Sequence, residues 1–365
     1  MSARPARGNA FAPGGARLPV AVLGATGAVG QTFVRMLDGH PWFELAEVAA
    51  SERSVGKTYA QAARWLEGAM PAAAASKTVL PCEPGAVRSP VVFSALDAAA
   101  AAAAEPAFAR AGRVVLSNAK CYRMDDDVPL LIPEVNPGHL ALLDGQRERR
   151  GWEGAIVTNA NCSTIVLAMA LAPLHEAFAV RAVFAATMQA VSGAGYPGVP
   201  SLDILGNVVP HILDEEGKIE TETRKILGVL ADGVVAPAGM RVTAHANRVA
   251  VEHGHTVCAS VALERQVPLA EAWEAIAGWR GAPEARGLPS APERPVALTD
   301  APDRPQPRRD VHAGRGMTVT VGRLRPDPVL HFKLVAMGHN TVRGAAGASI
   351  LNAELMAARG LLPRA

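Results

Sequence analysis

The stretch that decides the fold is residues 18–41, which read LPVAVLGATGAVGQTFVRMLDGHP. It opens with an apolar run typical of a buried strand and continues with three glycines, Gly24, Gly27 and Gly30. The residues beyond the glycines have the apolar spacing of an amphipathic helix, and the run Asp38-Gly39-His40-Pro41 predicts its end. The sequence therefore predicts a strand–turn–helix unit of the kind that opens a parallel sheet.

The segments that follow repeat this alternation. Three β-branched runs are ELAEVAAS at 44–51, PVVFSAL at 90–96 and RVVLSNA at 113–119. The last two are joined by an alanine-rich segment, 96–112, which predicts a helix. Strands that alternate with helices indicate an α/β fold, with a Rossmann-type doubly wound domain at the N-terminus.

Beyond residue 158 the pattern changes to long alternating strands with helices between them. These strands are predicted at 182–195, 240–263 and 316–327. They suit an α+β domain whose sheet has one face covered by helices and the other free to meet a partner. The Pro- and Arg-rich segment 281–310 is predicted as a loop, and 338–360 as a helix that returns to the first domain.

Composition limits the classes of partner and compartment. The 36 Lys and Arg nearly balance the 34 Asp and Glu, so nothing favours a nucleic acid or an anionic membrane as partner. The four cysteines, Cys82, Cys121, Cys162 and Cys258, are scattered without a CxxC pair or zinc spacing. We therefore expect neither a disulfide framework nor a metal site, and a reducing cytoplasm as the location.

The glycine turn predicts a nucleotide site. A GxxGxxG turn between a strand and a helix lets the backbone approach a pyrophosphate, which the helix N–H groups can bind. The alternative is a purely structural turn. The predicted contacts are Gly24, Thr26, Gly27, Ala28, Val29 and Gly30.

The end of the second strand predicts which nucleotide binds. A site specific for NAD usually has an acidic residue there, which bonds the ribose 2′-hydroxyl. This chain reads ASERSVGKTY at 50–59, with Glu52 as the nearest acid. Ser51, Arg53 and Ser54 would instead bind a 2′-phosphate, with Arg53 supplying the charge. We therefore expect NADP, and the alternative is a solvated polar loop.

A cysteine stands where another helix is predicted to begin, in TNANCSTIVLA at 158–168. The free N–H groups of a helix start favour a thiolate, so Cys162 is a candidate nucleophile. The alternative is that Asn161 or Ser163 caps the helix and Cys162 is a small buried residue.

Taken together, the motifs resemble those of the aspartate-semialdehyde dehydrogenase family, in its archaeal and fungal-like branch. The matching pieces, in order from residue 20 to residue 347, are VAVLGATGAVGQ, ASERSVGK, SNAKCYRMDDDVPLLIPEVN, NANCSTI, MQAVSGAG, EEGKIETETRKILG, NRVAVEHGHT and GHNTVRGAAG. The resemblance implies a fold like glyceraldehyde-3-phosphate dehydrogenase. It also implies NADPH-dependent reductive dephosphorylation of β-aspartyl phosphate to aspartate-β-semialdehyde, in the biosynthesis of lysine or diaminopimelate, threonine and methionine.

The resemblance also implies roles for individual residues. Cys162 would attack the acyl carbon and form a thioester, which Gln189 would orient. Arg248 would grip the substrate carboxylate, and His255, seven residues later, would be the acid–base group, since imidazole titrates near the working pH. His253 is the alternative histidine, because in an unbroken strand it would share a face with His255.

The remaining implied contacts complete the site. The phosphate and substrate subsite would use Arg123, Glu215 and Lys218, although the segment holding the last two also reads as a solvated helix face, and Asn340 would contact the cofactor. Inorganic phosphate would be the second product, and the chain would form a homodimer or homotetramer.

From its length, composition and change of pattern, the chain is expected to divide into three parts. They are a disordered extension at 1–17, an NADP-binding domain at 18–157 completed by 338–365, and a catalytic and dimerisation domain at 158–337.

Two rival functions remain at this level. A reductase acting on a CoA thioester, such as malonyl-CoA reductase, could use the same cysteine and the same carboxylate-binding Arg248. A catalytically silent nucleotide sensor would have lost Cys162, Gln189 or His255, and all three are present. The first rival would oxidise its semialdehyde with CoA in place of phosphate.

Overall fold

The computed structural model describes residues 16–363, which form two six-stranded sheets, one two-stranded hairpin and the helices that pack on them. Nearly all of the predicted N-terminal extension, residues 1–15, lies outside the described residues. Within 16–363 no helix has both the length and the apolar character needed to cross a membrane.

The first sheet is parallel throughout. Its strands are β1 (Leu18–Leu23), β2 (Phe43–Ala50), β3 (Val79–Pro81), β4 (Val91–Ser94), β5 (Val114–Ser117) and β6 (Ala155–Thr158). They lie in the order β3-β2-β1-β4-β5-β6, so the chain starts in the middle and winds outward in both directions. This is the predicted doubly wound α/β sheet, and its carboxyl edge is where a nucleotide is expected.

Helices cover both faces of this sheet. Those of the first half are α1 (Ala28–Leu37), α2 (Tyr59–Ala62), α3 (Ala72–Ala75), α4 (Ala98–Arg110) and α5 (Leu142–Arg150), with a 3₁₀ turn at Pro137–Ala141. Helix α4 is the predicted alanine-rich helix, and the Asp97 side chain caps its start by accepting from the N–H of Ala100.

The second sheet is mixed. Its strands are β7 (Val180–Gln189), β10 (Arg241–Arg248), β11 (His255–Leu263), β12 (Val296–Thr299), β13 (Val319–Pro326) and β14 (Phe332–Gly338). They lie in the order β10-β7-β11-β14-β13-β12, and β8 (Val229–Ala231) pairs with β9 (Val234–Ala236) as a separate hairpin. This is the predicted α+β domain.

The helices of the second half differ widely in burial. They are α6 (Cys162–Phe178), α7 (Ser201–Ile204), α8 (Glu215–Ile226), α9 (Leu269–Gly278), α10 (Pro307–Asp310) and α11 (Gly347–Ala358). Short 3₁₀ turns lie at Val191–Ala194, Pro283–Ala285 and Ala313–Gly316, and a π-helical turn spans Val342–Ala346. Helix α6 is buried along its whole first three turns, because its sequence is apolar on every side.

Several predicted boundaries were wrong. Residues 240–263 form two strands rather than one, β10 and β11, because the chain turns at Gly254 with a φ of +101°. The two strands are not neighbours, since β7 lies between them. The predicted loop 281–310 contains the edge strand β12, and the predicted strand 182–195 ends at Gln189.

The C-terminal segment packs against the first sheet's helical layer. Within 338–360 the chain leaves β14 at Gly338, makes the π-helical turn and continues as α11. Ile350, Leu351 and Leu355 of α11 share an apolar cluster with Phe33 of α1. The last helix therefore contributes to the N-terminal core, although it follows the second sheet in the chain.

One face of the second sheet carries large exposed side chains. Phe184 and Met188 on β7 are 42% and 37% exposed, and Phe184 contacts His245 of β10 edge to face. The alternate residues of these strands, such as Ala185 and Ala244, are buried under the helices on the other face. The strands thus show the predicted pattern of one covered and one open face.

The glycine turn is held by close backbone contacts. Gly24 has a φ of +71°, and a Cβ there would lie 2.6 Å from the carbonyl oxygen of Ala95. A Cβ on Gly30 would lie 2.2 Å from the carbonyl oxygen of Gly24. Both neighbours are backbone atoms that cannot rotate away, so these two positions require glycine.

Replacing Gly30 with Ala is expected to lower the free energy of unfolding by about 1–3 kcal/mol, the usual cost of overpacking, and to weaken NADPH binding. Gly145→Ala is the matched control, because nothing lies within 4 Å of its added Cβ in helix α5. That control should be neutral or stabilising by about 0.5–1 kcal/mol. Denaturant unfolding measures both, and equal stability of the two variants would contradict the close packing of the turn.

Candidate active site

Three strand ends meet at one edge of the second sheet. The parallel strands β7 and β10 end at Gln189 and Arg248, which are opposite each other in register. Strand β11 runs antiparallel to β7, so its first residue, His255, lies at the same edge. Three predicted site residues that are far apart in sequence are thereby brought together by strand direction alone.

The fourth element is the start of helix α6. Strand β6 ends at Thr158, and the Asn161 side chain then accepts from the N–H groups of Ser163 and Thr164, at 2.9 and 3.1 Å. These bonds satisfy two of the free donors of the helix start. Cys162 is consequently the first residue of the helix, as predicted.

A cavity of about 350 Å³ joins these elements. Its lining includes six of the predicted residues, namely Cys162, Gln189, Arg123, Arg248, Glu215 and Lys218. His255 lies just behind it, because a Cβ built on the lining residue Gly193 would be 2.9 Å from the His255 ring and 3.0 Å from Arg248 Nη1. The predicted catalytic and substrate-binding residues therefore form one site.

Burial changes the expected state of the cysteine. It raises the pKa of the Cys162 thiol to about 12, and the carboxylate of Glu215 acts in the same direction. Arg123, the Ser163 N–H and Arg248 oppose the rise. The helix start was expected to favour a thiolate, and in this structure burial opposes that effect of the nearby positive groups.

His255 is also neutral. Its side chain is fully buried, and its pKa is lowered to about 3 by burial first and then by Arg248, His339 and His253. Burial therefore favours the neutral ring in the pH range where an exposed imidazole titrates. The Ala190 N–H donates to its Nδ1 at 3.1 Å, so the ring hydrogen is on Nε2. Nε2 has no partner within residues 16–363, which leaves a buried N–H donor.

His253 has a different environment. It lies in the loop before β11, with a side chain 34% exposed, and its Nδ1 is 3.0 Å from Ser192 Oγ. Its ring lies 5.0 Å from that of His339, and His253 does not line the cavity that contains Cys162. Because the strand is broken, His253 and His255 do not share a face, and His255 is the histidine beside Arg248 and Gly193.

The charged residues of the cavity are linked to one another. Arg123 donates from Nη1 to Glu222 at 2.9 Å and from Nη2 to the Asn118 carbonyl at 2.6 Å. Lys218 donates to Glu215 at 3.2 Å, and Glu215 also accepts from the Asn161 side chain at 2.7 Å. The helix pair Glu215 and Lys218, which the sequence also allowed to be a solvated surface, therefore faces the cysteine.

A second cleft lies beside the glycine turn. It is lined by Ala28, Leu66, Glu67, Val191, Ser192, Gly195, Tyr196, Pro197, Gly198, Glu252, His253 and Thr341. Gly27 caps helix α1 without a side-chain bond, so the first N–H groups of the helix remain open to an anion. Ser51, Arg53 and Ser54 form the turn after β2, and within residues 16–363 the Arg53 side chain has no bonding partner. These features fit a dinucleotide phosphate.

Asn340 is more strongly engaged than predicted. Its side-chain oxygen accepts from the Gly254 N–H at 2.9 Å, and its amide donates to Ser192 Oγ at 2.8 Å. One amide N–H remains for the cofactor. Asn340 therefore connects the loop that carries His253 with the turn that lines the second cleft, a contact that its motif did not predict.

Some residues that were not predicted from the sequence shape the site without reacting. Gly193 gives the His255 ring its space, and Gly344 approaches the cysteine so closely that a Cβ would be 2.6 Å from that of Cys162. Both lie in family motifs, QAVSGAG and VRGAAG, and glycines in such motifs are a signal of close approach. Glu222, in the motif ETETRKI, was also missed.

Models of two protein families match the chain. The family described as semialdehyde dehydrogenase, NAD binding domain, matches residues 19–143. The one described as semialdehyde dehydrogenase, dimerisation domain, matches residues 171–343.

In the described residues no group of three or more His, Cys, Asp or Glu is arranged to hold a metal ion.

Relatives in archaea and fungi are similar over nearly the whole chain. The aspartate-semialdehyde dehydrogenase of Methanothermobacter thermautotrophicus is 52% identical, covering 92% of this chain and 98% of its own length. That of Cryptococcus neoformans is 46% identical over 95% and 98%. The Saccharomyces cerevisiae enzyme is 42% identical over 93% and 98%.

Solved structures agree with these relatives. The aspartate semialdehyde dehydrogenase of Candida albicans, solved with NADP, has a TM-score of 0.87 and 42% identity, covering 94% of this chain and 99% of that one. The Vibrio cholerae enzyme II has a TM-score of 0.73 and 28% identity, covering 93% and 98%. The matching family models, the relatives and the fold together show that this chain belongs to the aspartate-semialdehyde dehydrogenase family.

Proposed function

We propose that this chain catalyses the NADPH-dependent reductive dephosphorylation of β-aspartyl phosphate to aspartate-β-semialdehyde. The observation that carries the proposal is the single cavity in which Cys162 at a helix start faces Arg123, Lys218 and Arg248. The names of the relatives, and the Candida albicans structure solved with NADP, support the same activity and cofactor. The reaction belongs to lysine or diaminopimelate, threonine and methionine biosynthesis.

The first step is attack of the Cys162 sulfur on the acyl carbon. A C–S bond forms, the C–O bond to phosphate breaks, and Arg123 and Lys218 stabilise the departing phosphate. Arg248 holds the substrate carboxylate through parallel hydrogen bonds, at the end of β10. Glu215 completes the substrate subsite beside Lys218.

The thiol proton goes to the leaving group. Because burial keeps Cys162 protonated, a proton must leave the sulfur as the bond to carbon forms. His255 cannot accept it in its resting form, since Nδ1 is occupied by the Ala190 N–H and Nε2 already carries hydrogen. Transfer to the departing phosphate oxygen balances the step, giving the thioester and hydrogen phosphate.

The second half of the reaction reduces the thioester. When bound, NADPH would supply the hydride for this reduction. Gln189 orients the thioester, and the buried Nε2–H of His255 donates to the oxygen as negative charge develops on it. Cleavage of the C–S bond then releases the aldehyde, and the sulfur regains a proton from water.

The cofactor contacts follow from the second cleft and the glycine turn. The backbone of Gly24, Gly27 and Gly30 and the open start of α1 would hold the pyrophosphate. Ser51, Arg53 and Ser54 would hold the 2′-phosphate. The functional division would be an NADP-binding domain at 18–157 with 338–365 and a catalytic and dimerisation domain at 158–337.

The open face of the second sheet is proposed to pair with a second copy of the chain. Phe184, Met188 and His245 are exposed there, and the matching family model is described as a dimerisation domain. A homodimer would cover this face, and a homotetramer would add a second interface.

We also propose a cytoplasmic location, because all four cysteines are free thiols and Cys162 reacts only when reduced.

The CoA-dependent alternative is not favoured. The similar proteins are named aspartate-semialdehyde dehydrogenase. Arg123 and Lys218, in the cavity with Cys162, suit a transferred phosphate better than the thiolate leaving group of a CoA thioester. A CoA reductase of this fold would still use the cysteine and the nucleotide cleft. The decisive difference is which acceptor the reverse reaction requires.

The reverse reaction tests the proposed function. With aspartate-semialdehyde and NADP⁺, absorbance of NADPH should rise only when inorganic phosphate is present, and the rate should saturate with phosphate. Lys218→Ala should raise the apparent KM for phosphate. Arg248→Ala should chiefly impair the use of aspartate-semialdehyde, because its carboxylate loses a partner. Cys162→Ser, folded and binding NADPH, is the inactive control. NADP⁺ reduction that needs CoA and ignores phosphate would overturn the proposal.

The histidine role is tested by three variants. His255→Ala should lower kcat about 10²–10³-fold, the cost of losing one oxyanion donor, while His253→Ala should have a much smaller effect. His255→Gln should recover much of the loss, because its amide N–H can replace Nε2–H. Since the pKa of His255 is about 3, the ring stays neutral from pH 8 down to pH 5.

A base role for His255 would give a different pattern. His255→Gln would then be as slow as His255→Ala. The pH profile of the wild-type enzyme would show an acid limb near pH 6.5, and the profiles of both variants would lack it. A loss confined to His253→Ala would show that the wrong histidine has been assigned.

The state of the thiol is tested by alkylation. With a pKa of about 12, the thiolate fraction of Cys162 rises tenfold with each pH unit, so its rate of modification by iodoacetamide should rise about tenfold per unit from pH 6 to pH 9. Peptide mass spectrometry separates this cysteine from Cys82, Cys121 and Cys258. A rate that levels off below pH 8 would mean that the thiolate is the resting form.

A further inference from the structure

Glu222 connects two parts of the active site. It lies on α8 with a side chain only 2% exposed, and its two carboxylate oxygens have different partners. One accepts from Arg123 Nη1 at 2.9 Å, and the other accepts from the backbone N–H of Asn161 at 2.7 Å. A single buried carboxylate therefore joins the proposed phosphate-binding arginine to the residue that precedes the nucleophile.

Asn161 is held from three directions. Its backbone N–H is bound by Glu222, its side-chain amide donates to Glu215 at 2.7 Å, and its side-chain oxygen caps α6. The two glutamates are seven residues apart, two helical turns, and so lie on the same face of α8. Any movement of this face therefore displaces the residue on which the position of Cys162 depends.

The arginine has an equally specific dependence on Glu222. Arg123 is 7% exposed, so its charge needs a buried partner, and Glu222 is the carboxylate bonded to it. Lys225, one turn further along α8, donates to the carbonyls of Arg123, Asp125 and Val128, at 2.7, 2.7 and 2.9 Å. The same helix thus fixes the segment that carries Arg123.

We propose that Glu222 is a positioning residue that couples the phosphate-binding arginine to the nucleophile, holding Arg123 and the Asn161 cap of the Cys162 helix in one geometry. The proposal rests on the proposed function for the phosphate role of Arg123. Its second half, the link to Cys162, does not depend on the identity of the substrate. Glu222 touches neither the substrate nor the reacting atoms in this arrangement.

Glu222→Gln is the informative change because it keeps size and shape. A carboxamide has one acceptor oxygen, so it can serve Arg123 or Asn161 but not both, and its NH₂ group faces the other donor. The variant should raise the phosphate KM and lower kcat by about 10-fold or more together, the size of a lost hydrogen bond to a charged group. It should also change the alkylation rate of Cys162 at fixed pH at least several-fold.

Glu220→Gln is the matched control on the same helix. Glu220 accepts one bond, from the N–H of Ala244 at 3.0 Å, which an amide oxygen can also accept. It should leave KM, kcat and alkylation within about twofold of wild type. NADPH binding and thermal unfolding report whether each variant is folded, and Glu222→Asp, which keeps the charge but shortens the reach, provides a second variant with the same expected direction.

A double-mutant cycle isolates the coupling. If Glu222 acts on phosphate through Arg123, then adding Glu222→Gln to Arg123→Ala should raise the phosphate KM less than twofold further, while the change in Cys162 alkylation persists. Wild-type values for Glu222→Gln, or fully additive effects on KM, would overturn the proposal. Should the wild-type enzyme require CoA instead of phosphate, the proposed function fails, and alkylation still tests the link between Glu222 and Cys162.

Discussion

The buried start of helix α6 is the constraint on which the site depends. The helix is apolar on every side, so it is stable only inside the core, between the strands of the second sheet and the π-helical turn. Its first N–H groups are then cut off from water and need acceptors, which the Asn161 side chain provides. The position of Cys162 follows from that cap, and Gly344 leaves just enough room for it.

One face of helix α8 organises the charges around this start. Glu215, Lys218, Glu222 and Lys225 are spaced so that they point the same way, and all four bond to groups of the site or of the segment behind it. Burial lowers the pKa of Lys225 to about 8, yet three carbonyls satisfy its donors. Each buried charge needs a well-placed partner, because a buried charge without one destabilises the folded protein.

The same burial sets the chemistry of the two reactive groups. It raises the pKa of Cys162 and lowers that of His255, so it favours the neutral form of both groups. In the proposed reaction the site would rely on fixed cations, Arg123 and Arg248, and on the N–H donor of His255 rather than on a preformed thiolate and imidazolium pair. Charge that develops during the reaction then meets groups that are already in place.

Much of this protein was determined by local sequence. Residues 18–41 predicted a strand–turn–helix unit, and the alternation of strands and helices up to residue 119 predicted the doubly wound sheet. The motif TNANCSTI predicted a cysteine at a helix start, because strands, turns and caps depend on neighbouring residues. Tertiary structure decided the strand break before His255, the burial that raises the pKa of Cys162, and the partners of Glu222, whose helix has the sequence of a solvated surface. Those properties depend on burial and on partners far away in the chain: Glu222 bonds to residues 61 and 99 positions distant, and no local pattern records such a pair.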